Sequence, residues 1–174
     1  VSVAACELFE WGYRKLMKKS LANQDLSAAV TGVLLAFVCA PTLPYWMLII
    51  GDFFAIVVVK QLFGGLGKNF MNPALAARVF LFTAWPAHMT VFTKPGQHLS
   101  ALAINPDIPD TVVSATPLST LKTGALSDTP IFDMVLGWTP GCIGEVSALL
   151  LTAGFIYLLI RKVITWKIPV IYIG

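Results

Sequence analysis

Apolar runs cut short by proline and glycine leave this chain few folds to choose from. Leu26–Ala40 is apolar and is stopped by Pro41 and Pro44. Tyr45–Phe63 is broken by Gly64-Gly65-Leu66-Gly67. Asn72-Pro73 then opens a segment that ends near Trp85-Pro86, and Glu145–Ile160 is closed by Arg161, Lys162 and Lys167. Apolar residues in runs, rather than at amphipathic spacing, mark helices that avoid water on every side. Charged residues are 12% of the chain and hydrophobic ones 57%, where a soluble domain carries about a quarter charged. The expected fold class is an all-α polytopic membrane protein.

Segments 26–40 and 73–85 fall short of the roughly 20 apolar residues a full span needs, and each is bounded by proline. Short, Gly/Pro-interrupted half-helices build sites at depth, because helix ends leave free N–H groups to face a ligand. The other reading is tilted or locally thinned spans packed against partners. Asn72 is the expected N-cap and Pro73 the first helical position. Tyr45 and Trp46 sit as an interfacial anchor. Residues 86–141 form one long loop rich in Pro, Thr, Ser and Asp. The chain has no initiator Met, opens inside one apolar stretch (Val1 to Phe9) and stops inside another (Ile168 to Gly174). The expectation is a single, partial membrane domain, 1–174, from the middle of a longer protein, with no signal peptide to interpret.

Basic residues orient these segments. Val1–Trp11 reads as the end of a helix running into Arg14, Lys15, Lys18 and Lys19. With that cluster cytoplasmic, Lys60, Lys68 and the Arg161–Lys167 cluster also fall inside, and the 86–141 loop falls outside. The net charge of +3 is explained by these flanks and calls for no nucleic acid. Cys6, Cys39 and Cys142 are scattered without a CxxC, so they read as free buried thiols. The chain by itself shows no metal site, although a ligand to a partner's cluster stays open.

Candidate chemistry lies in a few places. Gly64–Pro73 is neither a P-loop nor GxGxxG. Its glycines let backbone turn tightly or approach something flat, and Asn69 and Asn72 offer amide donors and acceptors. A tight turn with an N-cap and a site for a neutral, planar ligand both fit. Glu145, after Gly141-Cys142-Ile143-Gly144, opens a helix either as a capping carboxylate or as an ion-pathway acid. Asp52 sits some way into a span, where it reads as solvated near the outer interface, with an ion-coupling role as the sharper alternative. Arg78, inside a short helix, needs a partner. In the loop, Ser114-Ala115-Thr116-Pro117-Leu118 is a small-residue turn whose hydroxyl a modifying enzyme can reach. Ser114, Ser119 and Thr120 are alternative hydroxyls.

Taken in order, Gly67-Lys68-Asn69-Phe70-Met71-Asn72-Pro73-Ala74-Leu75, then Ser114–Leu118, then Gly141-Cys142-Ile143-Gly144-Glu145-Val146-Ser147, resemble the D subunit of the Rnf ferredoxin:NAD⁺ oxidoreductase. That protein is related to the B subunit of the Na⁺-translocating NADH:quinone reductase. The tail from Tyr157 to Pro169 fits as well. The resemblance implies FMN covalently esterified to Thr116, with Ser114, Ala115, Pro117 and Leu118 forming the turn around it. It implies noncovalent riboflavin near Asn69 and Asn72, and ion coupling through Glu145. Ser114 stands where many members have Gly. The implied partners are the other Rnf subunits and the lipid bilayer of the cytoplasmic membrane, and the implied role is electron relay without a site for NAD⁺ or ferredoxin. A solute channel or transporter built on broken helices, with Thr116 unmodified, is the competing reading, and a structural scaffold is a third.

Overall fold

The computed structural model describes residues 1–18, 26–92, 122 and 130–173. Among them the elements are α1 (Ser2–Leu16), α2 (Ser27–Val38), α3 (Tyr45–Phe53), a π-helical segment (Phe54–Gln61), α4 (Pro73–Ala84), α5 (Pro86–Met89), α6 (Ile131–Leu136), α7 (Ala148–Ile160) and α8 (Lys167–Ile173). No strand occurs among the described residues. No helix among them is long and apolar enough to cross a membrane.

Local chemistry sets the boundaries. α1 runs past Trp11 to Leu16, placing Arg14 and Lys15 in its last turn, where cations oppose the negative helix end. Lys15 Nζ also lies 4.7 Å from the centre of the Trp11 ring. α2 ends at Val38, with Cys39 extended at ψ 157°, in keeping with helices stopping at or before the residue that precedes a proline, here Ala40 before Pro41. α3 continues without a break into the π segment, whose wider turn closes through Leu62 N to Val57 O (3.1 Å) and Gly65 N to Lys60 O (3.0 Å). The chain then reverses through Gly64, Gly65 and Gly67 at φ 107°, 93° and 81°, a region that costs glycine almost nothing.

α1, α2, α3 with its π extension, and α4 pack together. One apolar cluster joins Leu35, Met47, Ala55, Ala77 and Leu81, flanked by Phe54 stacked on Phe80 at 4.5 Å. A second joins Cys6, Ala28 and Ile56 beneath Phe9. α1 and α2 approach closely at Gly32, where an added Cβ would lie 2.9 Å from Val3 Cα. Small residues permit such backbone contact, as at helix interfaces in membranes. The segment before α7 docks on the end of α2: Gly144 N donates to Phe37 O (3.0 Å), and Cys142 Sγ to Val38 O (3.3 Å). α7 packs against α6 and leaves Leu149, Leu150, Leu151, Tyr157 and Ile160 exposed. The two described ends of the 86–141 stretch, read from sequence as loop throughout, carry α5 and α6.

Gly32→Ala pushes backbone against backbone and is expected to destabilise the protein by about 1–3 kcal/mol. Gly51→Ala meets the flexible end of Leu81, at 2.7 Å from Cδ1, and is expected to cost less. Thermal unfolding of the two purified variants in detergent checks this; equal losses would contradict the close α1–α2 approach.

Candidate functional site

Ser2, Cys6 and Glu10 are the buried residues of α1. Their four-residue spacing puts them on one face of the helix, and that face is polar. It meets two acid-centred clusters buried inside an otherwise apolar bundle.

The lower cluster is built on Glu10. Lys60 Nζ donates to Glu10 Oε2 (2.7 Å) and to Ser27 Oγ (2.6 Å). Gln61 Nε2 donates to Glu10 Oε1 (3.0 Å), and Arg14 Nη2 lies 2.7 Å from the same oxygen. Lys60 is 1% exposed. Its position corrects the reading that placed Lys60 as a basic flank. It is an internal cation, carried inward by the π segment, in which Val59, Lys60 and Gln61 are all buried. π-helical turns recur at functional sites because they re-aim side chains locally. Several kcal/mol of desolvation per ion is offset here by charge-assisted bonds to both carboxylate oxygens.

The upper cluster is built on Asp52, which is 0% exposed. That overturns the expectation of a solvated carboxylate near an interface. Asp52 Oδ1 contacts Ser2 Oγ at 2.6 Å and accepts from Cys6 Sγ at 3.3 Å. Ser2 Oγ also donates to Gly32 O at 2.8 Å. Asp52 Oδ2 is buried without a partner among the described residues. α1 covers Asp52, and nothing in the sequence around Asp52 announces that cover. The usable signal was the spacing of Ser2, Cys6, Glu10 and Arg14 on α1, four polar or small groups at successive turns of an apolar helix.

The glycine turn and its asparagines come together. Asn72 Oδ1 accepts from Ala74 N (2.9 Å) and Leu75 N (3.3 Å), with Pro73 at the first helical position. This is the N-cap that the sequence predicts. Asn69, with its amide nitrogen facing the carbonyls, donates to Gly65 O (2.9 Å) and Lys60 O (3.3 Å). These bonds pin the turn and leave Asn69 Oδ1 and Asn72 Nδ2 to other uses. Phe63 and Phe70 meet edge to face at 4.8 Å beside them and are exposed. No atom beyond their chain neighbours lies within 4 Å of a Cβ built on Gly65 or Gly67. An acceptor, a donor, exposed rings and open glycine backbone fit a flat hydrogen-bonding group.

Glu145 is not at the start of α7. Ser147 caps that helix through Leu150 N at 3.3 Å, so the capping role expected of Glu145 belongs to Ser147. Glu145 sits in the preceding turn, its N bonded to Cys142 O at 3.0 Å, and pairs with Arg78 Nη1 at 2.9 Å. This supplies the partner that Arg78 requires. The pair is partly exposed, 36% and 53% for the two side chains, so it ties α4 to the α7 approach without a large energy. Burial pushes the Cys142 thiol up from its ordinary range; Glu145 adds to the shift and Arg78 opposes it. Cys142 therefore stays a thiol and donates to Val38 O. Cys6, Cys39 and Cys142 are free and buried, as their scattered spacing implies. Ser114, Ala115, Thr116, Pro117 and Leu118 lie outside the described residues.

The sequence profile of the NQR2, RnfD, RnfE family matches residues 1–174. The chain is similar to the D subunit of the Na(+)-translocating ferredoxin:NAD(+) oxidoreductase complex of Acetobacterium woodii, with 48% identity over 163 residues, covering 92% of this chain and 48% of the relative. It is similar to the D subunit of the proton-translocating ferredoxin:NAD(+) oxidoreductase complex of Clostridium ljungdahlii, with 38% identity over 185 residues, covering 99% and 52%. It is also similar to the B subunit of the Na(+)-translocating NADH-quinone reductase of Neisseria meningitidis serogroup B, with 39% identity over 143 residues, covering 80% and 33%. The chain thus spans about half the length of the first two relatives.

Lys60→Met leaves Glu10 buried with Arg14 as its remaining cation and is expected to destabilise the protein by about 3–5 kcal/mol. Lys68→Met, at the exposed turn, is expected to cost less than about 0.5 kcal/mol. Thermal unfolding in detergent compares the two, and similar losses would mean that Lys60 is solvated.

Proposed function

The chain belongs to the NQR2, RnfD, RnfE family, and from that premise we propose that it is part of a flavin-carrying membrane protein. The whole protein relays electrons across the cytoplasmic membrane within an Rnf-type complex, with the other subunits of that complex as its partners. The complex couples ferredoxin oxidation and NAD⁺ reduction to Na⁺ or H⁺ movement, and this chain holds no site for NAD⁺ or ferredoxin. The observation that carries the reading is Ser114-Ala115-Thr116-Pro117-Leu118, set between the Asn69–Pro73 and Gly141–Ser147 motifs of a chain that the family covers end to end.

Thr116 is the residue that holds FMN, through a phosphoester on its hydroxyl. It is a tether and not a nucleophile acting on substrate. Ser114, Ala115, Pro117 and Leu118 form the small turn that presents it. Asn69 and Asn72 are the residues that hold riboflavin, using the amide oxygen and nitrogen that their turn-pinning bonds leave over. Bound flavins supply one-electron chemistry, and the protein supplies position and insulation. The chain's apolar helices lie in the bilayer and its long loop outside, with the Arg14–Lys19 and Arg161–Lys167 clusters on the cytoplasmic side. Glu145, paired with Arg78, and the buried Asp52 are the acids placed for ion coupling.

A denaturing gel of the natively produced, full-length protein is expected to show a band fluorescent under ultraviolet light, and Thr116→Ala is expected to abolish it. A dark band from a preparation that retains its complex would sink the flavin reading in favour of a broken-helix channel. Replacing Asn69 and Asn72 with Leu is expected to lower extractable riboflavin while leaving the fluorescent band. Unchanged riboflavin would place that flavin elsewhere.

A further inference from the structure

The upper polar cluster contains a hydrogen-bond chain that only one protonation state satisfies. Ser2 Oγ lies 2.8 Å from Gly32 O and 2.6 Å from Asp52 Oδ1. A carbonyl oxygen has no hydrogen, so the contact with Gly32 uses the single hydrogen of the Ser2 hydroxyl. The contact with Asp52 then needs a hydrogen of its own. At 2.6 Å it is a short O–H···O bond, and Asp52 is the remaining source. Were Asp52 ionised, Ser2 could donate to one of its two neighbours only, and the other contact would set two acceptor oxygens face to face.

The rest of the site agrees. Asp52 Oδ2 is buried without a partner among the described residues, which costs far less for the carbonyl oxygen of an acid than for half of a carboxylate. The charged groups of the neighbouring elements are engaged elsewhere. Lys60 of the π segment is bound to Glu10 of α1, and Arg78 of α4 is bound to Glu145. α1 offers Cys6, whose thiol donates to Oδ1. α2 offers the Gly32 carbonyl. None of these side chains is a cation bonded to Asp52.

We infer that Asp52 is a proton-binding site: it holds a proton on Oδ1, donates it to Ser2 Oγ, and through Ser2 to the Gly32 carbonyl, so that the bound proton links α3, α1 and α2. Binding converts the carboxylate and a proton from water into the neutral acid, with no other reactant. Releasing the proton turns the Ser2 hydrogen toward Asp52 and breaks the bond to Gly32, at the point where α1 and α2 touch through backbone. This deepens the ion-coupling role proposed for Asp52 and names the ion as a proton. It does not depend on flavin at Thr116.

Infrared spectroscopy of the full-length protein in liposomes tests it. The wild type minus Asp52→Asn difference spectrum at neutral pH is expected to contain a carboxylic-acid C=O band that shifts in D₂O. Ser2→Ala is expected to shift that band without removing it, as the acid loses its acceptor. Asp52→Asn keeps the size of the neutral acid and is expected to fold. Should it fail to do so, Asp52→Glu is expected to keep an acid band at a displaced frequency. A difference spectrum that shows a carboxylate pair and no acid band overturns the inference. In-gel flavin fluorescence on the same preparations reports the electron-relay reading separately, so the two fail independently.

Discussion

A lysine inside an apolar bundle has to be matched, and the way Lys60 is matched organises the rest of this structure. Glu10 takes its ammonium on one oxygen, while Gln61 and Arg14 occupy the other. Those bonds fix α1 against the end of the π segment in one register, because a shift of either helix would strand a charge out of water. The π segment follows from the same need. Its wider turn places Lys60 and Gln61 inward together, and the glycine turn that follows is tied back to them, Gly64 N donating to Gln61 O and Gly65 N to Lys60 O. With α1 held there, Val3 comes against Gly32, and Ser2 and Cys6 are brought onto Asp52.

Much of this fold was legible one element at a time. Asn72-Pro73 announced a cap, and the cap formed with Asn72 Oδ1 on two backbone N–H groups. Pro41 and Pro44 announced the gap between α2 and α3, and the glycines announced the reversal after the π segment. What could not be read were residues whose setting is made by a distant helix. Asp52 looked solvated because its cover comes from α1, some fifty positions away in the chain. Lys60 looked like a flank because a basic residue near a glycine break usually is one. Glu145 looked like a cap because an acid before an apolar run usually is one, yet Ser147 lies nearer the helix and its hydroxyl takes the N–H.

Lys60 drops out of the count of cytoplasmic charges, since Glu10 neutralises it inside the bundle. Arg14, also bound to Glu10, counts for less than its formal charge. Lys15, Lys18 and Lys68 remain on that side, and Arg161, Lys162 and Lys167 follow α7. The proposed orientation therefore rests on exposed charges alone and survives the loss. The pieces also divide the work. The α1–α4 bundle is a tied polar interior in an apolar shell. The glycine turn offers unused amide groups beside exposed rings. The attachment motif falls in the stretch between α5 and α6, and with it falls the main weight of the functional reading.

Mass spectrometry of peptides from the natively assembled, full-length protein tests that reading most directly. The peptide containing Thr116 is expected to be heavier by one FMN less one water, with fragmentation assigning the addition to Thr116 rather than to Ser114, Ser119 or Thr120. An unmodified Thr116 peptide, recovered in full from a complex that carries covalent flavin elsewhere, would contradict it.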